Sequence, residues 1–153
     1  MAYLNQRDIQ IEKVGEITDE IFDVVKRLVP KIGTHKPLPT RDELIALVES
    51  ESSTLWVARY PDENGVIAGM LTISIYRVPT GVRSIVEDVA VDSNFRRKGI
   101  AKALMQTAIE FAREAGANGV ALTSNHQREA ANLLYQSLGF ERRTTNAYYF
   151  RLK

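Results

Sequence analysis

Residues 89–102 read Val-Ala-Val-Asp-Ser-Asn-Phe-Arg-Arg-Lys-Gly-Ile-Ala-Lys, passing from an apolar strand through a basic turn into a helix. That layout suits an anion. The first amides of a helix have no partner within it, and the aligned peptide dipoles add partial positive charge there. A phosphate can rest on such N–H groups where the backbone lets it approach. Gly99 has no Cβ to obstruct it and Ala101 has the smallest one, while Arg96, Arg97, Lys98 and Lys102 crowd four cations around the turn. Two other groups could do chemistry. Glu87 and Asp88 are adjacent carboxylates late in a strand. Strand alternation sends them to opposite faces, Glu87 with Val89 and Val91, Asp88 with Ala90 and Asp92, so that at most one lines a given site. Farther on, Arg128, Asn132 and Tyr135 share one helix face through i,i+4 and i,i+3 spacing.

The elements that must position these groups are legible from period and punctuation. Residues 9–14 alternate as a half-buried strand, and Thr18-Asp19-Glu20 starts a helix whose apolar positions run to Pro30. The proline-rich segment 30–39 reads as a loop, and Thr40 with Glu43 matches a capping box that opens a second helix. Residues 55–60 and 66–76 form a hairpin around Asn64-Gly65, with Gly69 marking a bulge or a close approach. Residues 82–91 are a third strand, and Ile100, Leu104, Ala108, Phe111 and Ala115 are the apolar stripe of a long helix that Gly116 ends. A short strand at 120–123, a helix over 128–138 stopped by Gly139, and two final strands at 140–141 and 148–152 complete the order β-α-α-β-β-β-α-β-α-β-β. This predicts an α+β fold with a central mixed, mostly antiparallel sheet of about seven strands flanked by four helices.

Arg96-x-x-Gly99-x-Ala101 after a strand, in this element order over essentially the whole chain, resembles the acetyl-CoA pyrophosphate loop of the GNAT-type (Gcn5-related) N-acetyltransferase superfamily. The resemblance implies an acyl-CoA N-acyltransferase fold and transfer of acetyl from acetyl-CoA to a primary amine by direct attack in a ternary complex. CoA is the product. It assigns the pyrophosphate to the amides of Arg97, Lys98, Gly99, Ile100, Ala101 and Lys102, with Gly99 least able to accept a side chain. It assigns the pantetheine arm to Val89, Ala90 and Val91, whose strand splays from the next one, and an oxyanion donor to the Val89 N–H. Tyr135-x-x-x-Gly139-Phe140 is similar to a family segment in which the tyrosine protonates the departing thiolate and an asparagine, here Asn132, contacts the cofactor. The family also uses a carboxylate on the strand before the loop as general base, which singles out Glu87.

The bounds of the chain agree with a small-molecule enzyme. Its 153 residues are expected to form one domain over 1–153, and 44% hydrophobic with 25% charged residues is ordinary for a globular protein. A net charge of +1 leaves no global field for nucleic acid or a membrane. The absence of cysteine excludes disulfides, thiolate metal sites and a thiol acyl-enzyme, and fits the cytoplasm. No signal core or 18-residue apolar run is present, so a soluble, unexported protein is expected. His35 lies in the proline-rich loop and His126 precedes the last helix; neither has metal-ligand spacing with a carboxylate, so no metal is expected. Gly-x-Gly-x-x-Gly and Walker patterns are missing. A non-enzymatic acyl-CoA-binding module is the alternative, which Tyr135 disfavours because binding alone needs no proton donor. The acceptor is left open, a small amine or amino acid being the default, and the family's C-terminal strands often pair or swap, which implies a homodimer.

Overall fold

In the computed structural model residues 9–153 are described, and the chain divides into two units, Met1–Thr123 and Ser124–Lys153. The first unit is built on a sheet of order β1-β2-β3-β4-β5: β1 (Gln10–Lys13), β2 (Ser53–Tyr60), β3 (Val66–Val78), β4 (Gly81–Val91) and β5 (Val120–Ala121). The first four pair antiparallel and β4 pairs β5 in parallel. Antiparallel neighbours need only short turns, whereas the parallel step requires a long crossover. Helix α3 (Ile100–Glu114) supplies it.

Helices α1 (Asp19–Ile32) and α2 (Arg41–Glu49) lie before β2 in the chain. Thr18 caps α1 by accepting from the Ile21 amide at 3.2 Å, and Thr40 with Glu43 forms the capping box at α2. Helix α1 does not stop at Pro30 but continues to Ile32. A proline this close to the C-terminus removes one intrahelical bond, while Ile32 beyond it gains packing against the core. Leu28, Leu44, Leu55, Val57, Met70 and Ala90 join α1, α2 and one sheet face in one buried cluster. A side chain as fully buried as Leu28 contributes roughly 1.5–3 kcal/mol. On α3, Leu104 and Met105 are fully buried, and Phe111 meets Trp56 of β2 edge to face at 5.5 Å. Gly69 is a close approach: a Cβ there would stand 2.9 Å from Ile100 Cγ2 and 3.2 Å from the Ala90 carbonyl oxygen.

In the second unit, α4 (Glu129–Ser137) ends in a Schellman motif. Gly139 takes φ 99°, its N–H donates to the Gln136 carbonyl at 3.1 Å, and the Phe140 N–H donates to the Tyr135 carbonyl at 3.0 Å. The Phe140 ring meets Tyr135 at 6.0 Å, the apolar contact that accompanies such a cap. Residues 140–141 therefore finish a helix rather than form a strand. Residues 148–152 form no strand either, so the described sheet has five strands, not about seven. Alternating side chains favour a strand only where a neighbouring edge can satisfy the backbone. Tyr148, Tyr149, Phe150 and Leu152 are all highly exposed, with no such edge paired to them.

Candidate active site

The β4–α3 turn is moored before it reaches its cationic part. The Asp92 N–H donates to the Ala68 carbonyl at 2.8 Å, and its buried carboxylate accepts from the Asn94 amide at 3.0 Å to open a short 3-10 turn, Ser93–Phe95. The other carboxylate oxygen lies 3.3 Å from Arg27 Nε, whose guanidinium also donates to the Ile67 carbonyl at 3.0 Å. Asp92 thus joins the turn to α1 and, through Arg27, to β3. Phe95 packs edge to face on Tyr60 at 5.8 Å, and Lys98 Nζ stands 5.8 Å from the same ring.

Beyond this mooring the backbone turns through left-handed conformations at Arg97 (φ 63°) and Gly99 (φ 81°). Gly99 is the N-cap of α3 and brings no side-chain cap, so the first amides of the helix keep their donors free. A Cβ at Gly99 would meet nothing within 4 Å. The demand for glycine here is thus conformational, and crowding would arise only from a bound group. Arg96, Arg97, Lys98 and Lys102 are exposed, and among the described residues none pairs with a carboxylate. An uncapped helix start ringed by cations without a carboxylate partner has the donors and charge that suit an anion.

Strand β4 leads into that turn with one edge open. Its parallel pairing to β5 covers Ser84↔Val120 and Ile85↔Ala121, leaving Val86 to Val91 without a strand partner on that side among the described residues. Val89, Ala90 and Val91 lie on this stretch. On the β3 side, pairing passes from Thr72↔Glu87 to Met70↔Ala90, so two residues of β4 oppose one of β3. This is a β-bulge with Asp88 at φ 53°. It breaks the alternation expected for Glu87 and Asp88. Glu87 sits opposite Thr72 on the α1 face, and the bulge turns Asp88 onto that face as well.

There Asp88 lines a cavity of about 330 Å³. Val25, Val29 and Ile32 of α1, Leu44 and Leu47 of α2, and Leu55 and Met70 of the sheet form its walls. Thr72, Lys36 and Glu43 add polar groups, with one Glu43 oxygen held by the Thr40 cap at 3.2 Å. Glu87 does not line it. His35 is exposed in the loop beside Lys36, and His126 is exposed ahead of α4.

Within the second unit, Tyr135 is buried and its phenol is pushed above the ordinary value of 10.0 by desolvation, opposed by nearby Arg128. It therefore keeps its proton throughout the neutral range. Asn132, one turn earlier, donates its side-chain amide to the Asn125 carbonyl at 3.0 Å, tying the helix to the segment before it. Sequence reasoning missed the Arg27–Asp92 mooring, since nothing marks an arginine 65 positions upstream as the partner of a turn aspartate. It also missed the bulge, whose only trace is an aspartate, a residue that tolerates left-handed backbone.

Comparison with known proteins agrees with this geometry. N-acetyltransferase 8 of Rattus norvegicus is 32% identical over 97 residues, covering 62% of this chain and 42% of that protein. The chain spans less than half the length of the curated relatives it matches. The aminoglycoside acetyltransferase meta-AAC0020 from an uncultured soil metagenomic sample, solved with sisomicin, matches with TM-score 0.81 at 22% identity over 97% of this chain and 99% of that one. AAC(6')-Iy, solved with the bisubstrate analog CoA-S-monomethyl-acetylneamine, matches with TM-score 0.72 at 18% identity, covering 95% and 98%. These two establish the likeness of fold. Residues 18–140, most of the chain, match the profile described as the acetyltransferase (GNAT) family, and the protein belongs to that family.

Proposed function

We propose that the protein transfers the acetyl group of acetyl-CoA to a primary amine. The observation that carries this reading is the uncapped, cation-ringed start of α3 directly after a strand with an open edge. The pyrophosphate of the donor binds the amides of Arg97 to Lys102, with Arg96, Arg97, Lys98 and Lys102 neutralising its charge. Its pantetheine amides pair with the open edge of β4 at Val89, Ala90 and Val91, and the Val89 N–H polarises the thioester carbonyl. Holding both reactants in one site converts a bimolecular encounter into an effectively unimolecular one. The amine nitrogen attacks the carbonyl carbon, the C–S bond breaks, and a β4 carboxylate, Glu87 or Asp88, accepts the ammonium proton. Tyr135 gives its proton to the departing thiolate, for which a buried phenol that stays neutral is suited. Asn132, on the same helix, supports the donor. AAC(6')-Iy, a protein of the same fold solved with a CoA-based bisubstrate analog, supports CoA as the carrier of the donor group.

The test is titration calorimetry with acetyl-CoA. The wild-type protein should bind it, and Gly99→Glu should reduce the affinity at least a hundredfold by placing a carboxylate and a strained φ where the phosphates rest. Unchanged affinity in Gly99→Glu would remove the donor site from this turn.

A further inference from the structure

We infer that the acceptor is a primary amine carried on a compact apolar body, its ammonium held by Asp88. The inference rests on the reading of the chain as an amine acetyltransferase and adds the class of amine. The cavity beside β4 holds about 330 Å³, at the small end of ligand sites and on the order of ten water molecules' share of liquid volume. Its walls are aliphatic: Val25, Val29, Leu44, Leu47, Leu55 and Met70 close it from α1, α2 and two strands. A polyhydroxylated acceptor would lose its water against such walls and find few partners in return. An alkyl or aryl group loses little and buries its surface.

Among the polar groups lining the cavity, Lys36, Glu43, Thr72 and Asp88, one carboxylate is free to hold an ammonium. Glu43 is tied into the cap of α2, and Lys36 stands on the loop between α1 and α2. Asp88 is the carboxylate left over. It forms no ion pair or hydrogen bond among the described residues, and it is exposed where the cavity opens. The β4 bulge and its left-handed backbone turn Asp88 toward the cavity instead of the α3 face. Residues held in such conformations cluster at functional sites, and the free carboxylate here gives that tendency a chemical content. The same bulge interrupts β4 immediately before Val89, so an amine held by Asp88 would stand beside the strand edge assigned to the thioester.

The test reads binding, not turnover, and so is independent of the donor site. 2-Phenylethylamine, 2-phenylethanol and glucosamine are titrated into the protein by ligand-observed NMR, each with and without CoA. The amine should bind at least tenfold tighter than both the alcohol and glucosamine. In Asp88→Asn, which keeps a residue tolerant of left-handed backbone, the amine and alcohol should bind alike. In Leu47→Asp, both phenyl ligands should lose affinity while glucosamine does not. Thermal unfolding checks that each variant is folded; should Leu47→Asp unfold, Val29→Thr replaces it with the same expectation. Tighter binding of glucosamine, no binding of the amine in either condition, or an amine preference that survives Asp88→Asn would each overturn the inference. Calorimetry with acetyl-CoA on both the wild type and Asp88→Asn separates the two claims: no binding by the wild type would sink the donor reading alone, and the amine titrations would still decide the inference.

Discussion

At the scale of single residues, the turn proposed to hold the donor's phosphates is itself held by groups other than its exposed cations. Asp92 is buried, engages the Asn94 amide and Arg27, and through its own N–H reaches Ala68. Hydrogen bonds to a charged group contribute about 1.5–3 kcal/mol, and less where the partners are solvent-exposed, as Asn94 and Arg27 are. Asp92→Ala should therefore loosen the turn, lowering acetyl-CoA affinity several-fold in calorimetry and stability by about 1–3 kcal/mol in urea. An unchanged donor affinity would make the mooring purely structural. Tyr135 makes a different prediction. Tyr135→Phe should slow acetyl transfer by on the order of 10²–10⁴-fold while leaving donor affinity nearly intact, the range typical of one general acid. Because its folded pKa is raised, its contribution to stability is full below the ordinary phenol value of 10.0 and is lost as pH rises through the folded value. Alkaline urea denaturation should accordingly weaken the wild type more steeply than Tyr135→Phe above pH 10.0.

At the scale of elements, Gly69 sets how closely α3 approaches β3. A Cβ there would stand 2.9 Å from Ile100 Cγ2, one residue into the helix whose first amides form the candidate phosphate site, and 3.2 Å from the Ala90 carbonyl oxygen. The side-chain tip can shift but the carbonyl cannot do so cheaply. Gly69→Ala should cost about 1–3 kcal/mol by chemical denaturation. It should also weaken acetyl-CoA binding by displacing the start of α3. A neutral Gly69→Ala would show that the helix accommodates the extra carbon. Most elements were legible because their apolar residues repeat with the period of the structure they form: the Thr40–Glu43 box and the Gly139 stop lie where spacing put them, and Ile100, Leu104 and Ala108 are buried on α3, although Met105 and Ala112 complete its buried face in place of the exposed Ala115. Tyr135-x-x-x-Gly139-Phe140, carried by resemblance, has a local reason as well, since its glycine and phenylalanine complete the Schellman cap of α4. What escaped was the bulge at Asp88 and the unpaired state of residues 148–152. Both depend on what stands alongside a strand, and local pattern does not record it.

At the scale of the whole molecule, Arg59 gathers separate parts of the first unit. Its guanidinium contacts Glu12 of β1 at 3.0 Å, Glu20 of α1 at 2.7 Å and the Gly65 carbonyl of the hairpin at 3.1 Å. The hydrogen bonds from Arg59 hold the Glu20 carboxyl below its ordinary 4.5 despite some desolvation, and the guanidinium is itself held more firmly protonated. A depressed carboxyl contributes stability that is present above its unfolded pKa and lost as pH falls through the folded one. The wild type should thus lose stability below about pH 4.5, and Arg59→Met should flatten that loss in acid urea titrations. The effect is small, because Glu20 is largely solvated and screened. An identical acid profile in the variant would remove this network from the account.

By itself the sequence determined the four helices and the first five strands, the caps at Thr18, Thr40 and Gly139, and a turn whose charge and backbone suit a phosphate, but not that residues 148–152 stay unpaired. Each of these follows from periodicity, cap chemistry and charge within a few neighbouring residues. Only the tertiary structure decided that Asp88 shares the α1 face with Glu87, that Arg27 holds Asp92, and that β4 keeps an open edge past Ile85. Those facts arise from contacts between residues distant in the chain, and the cavity that points to an apolar amine exists only where α1, α2 and the sheet close around it.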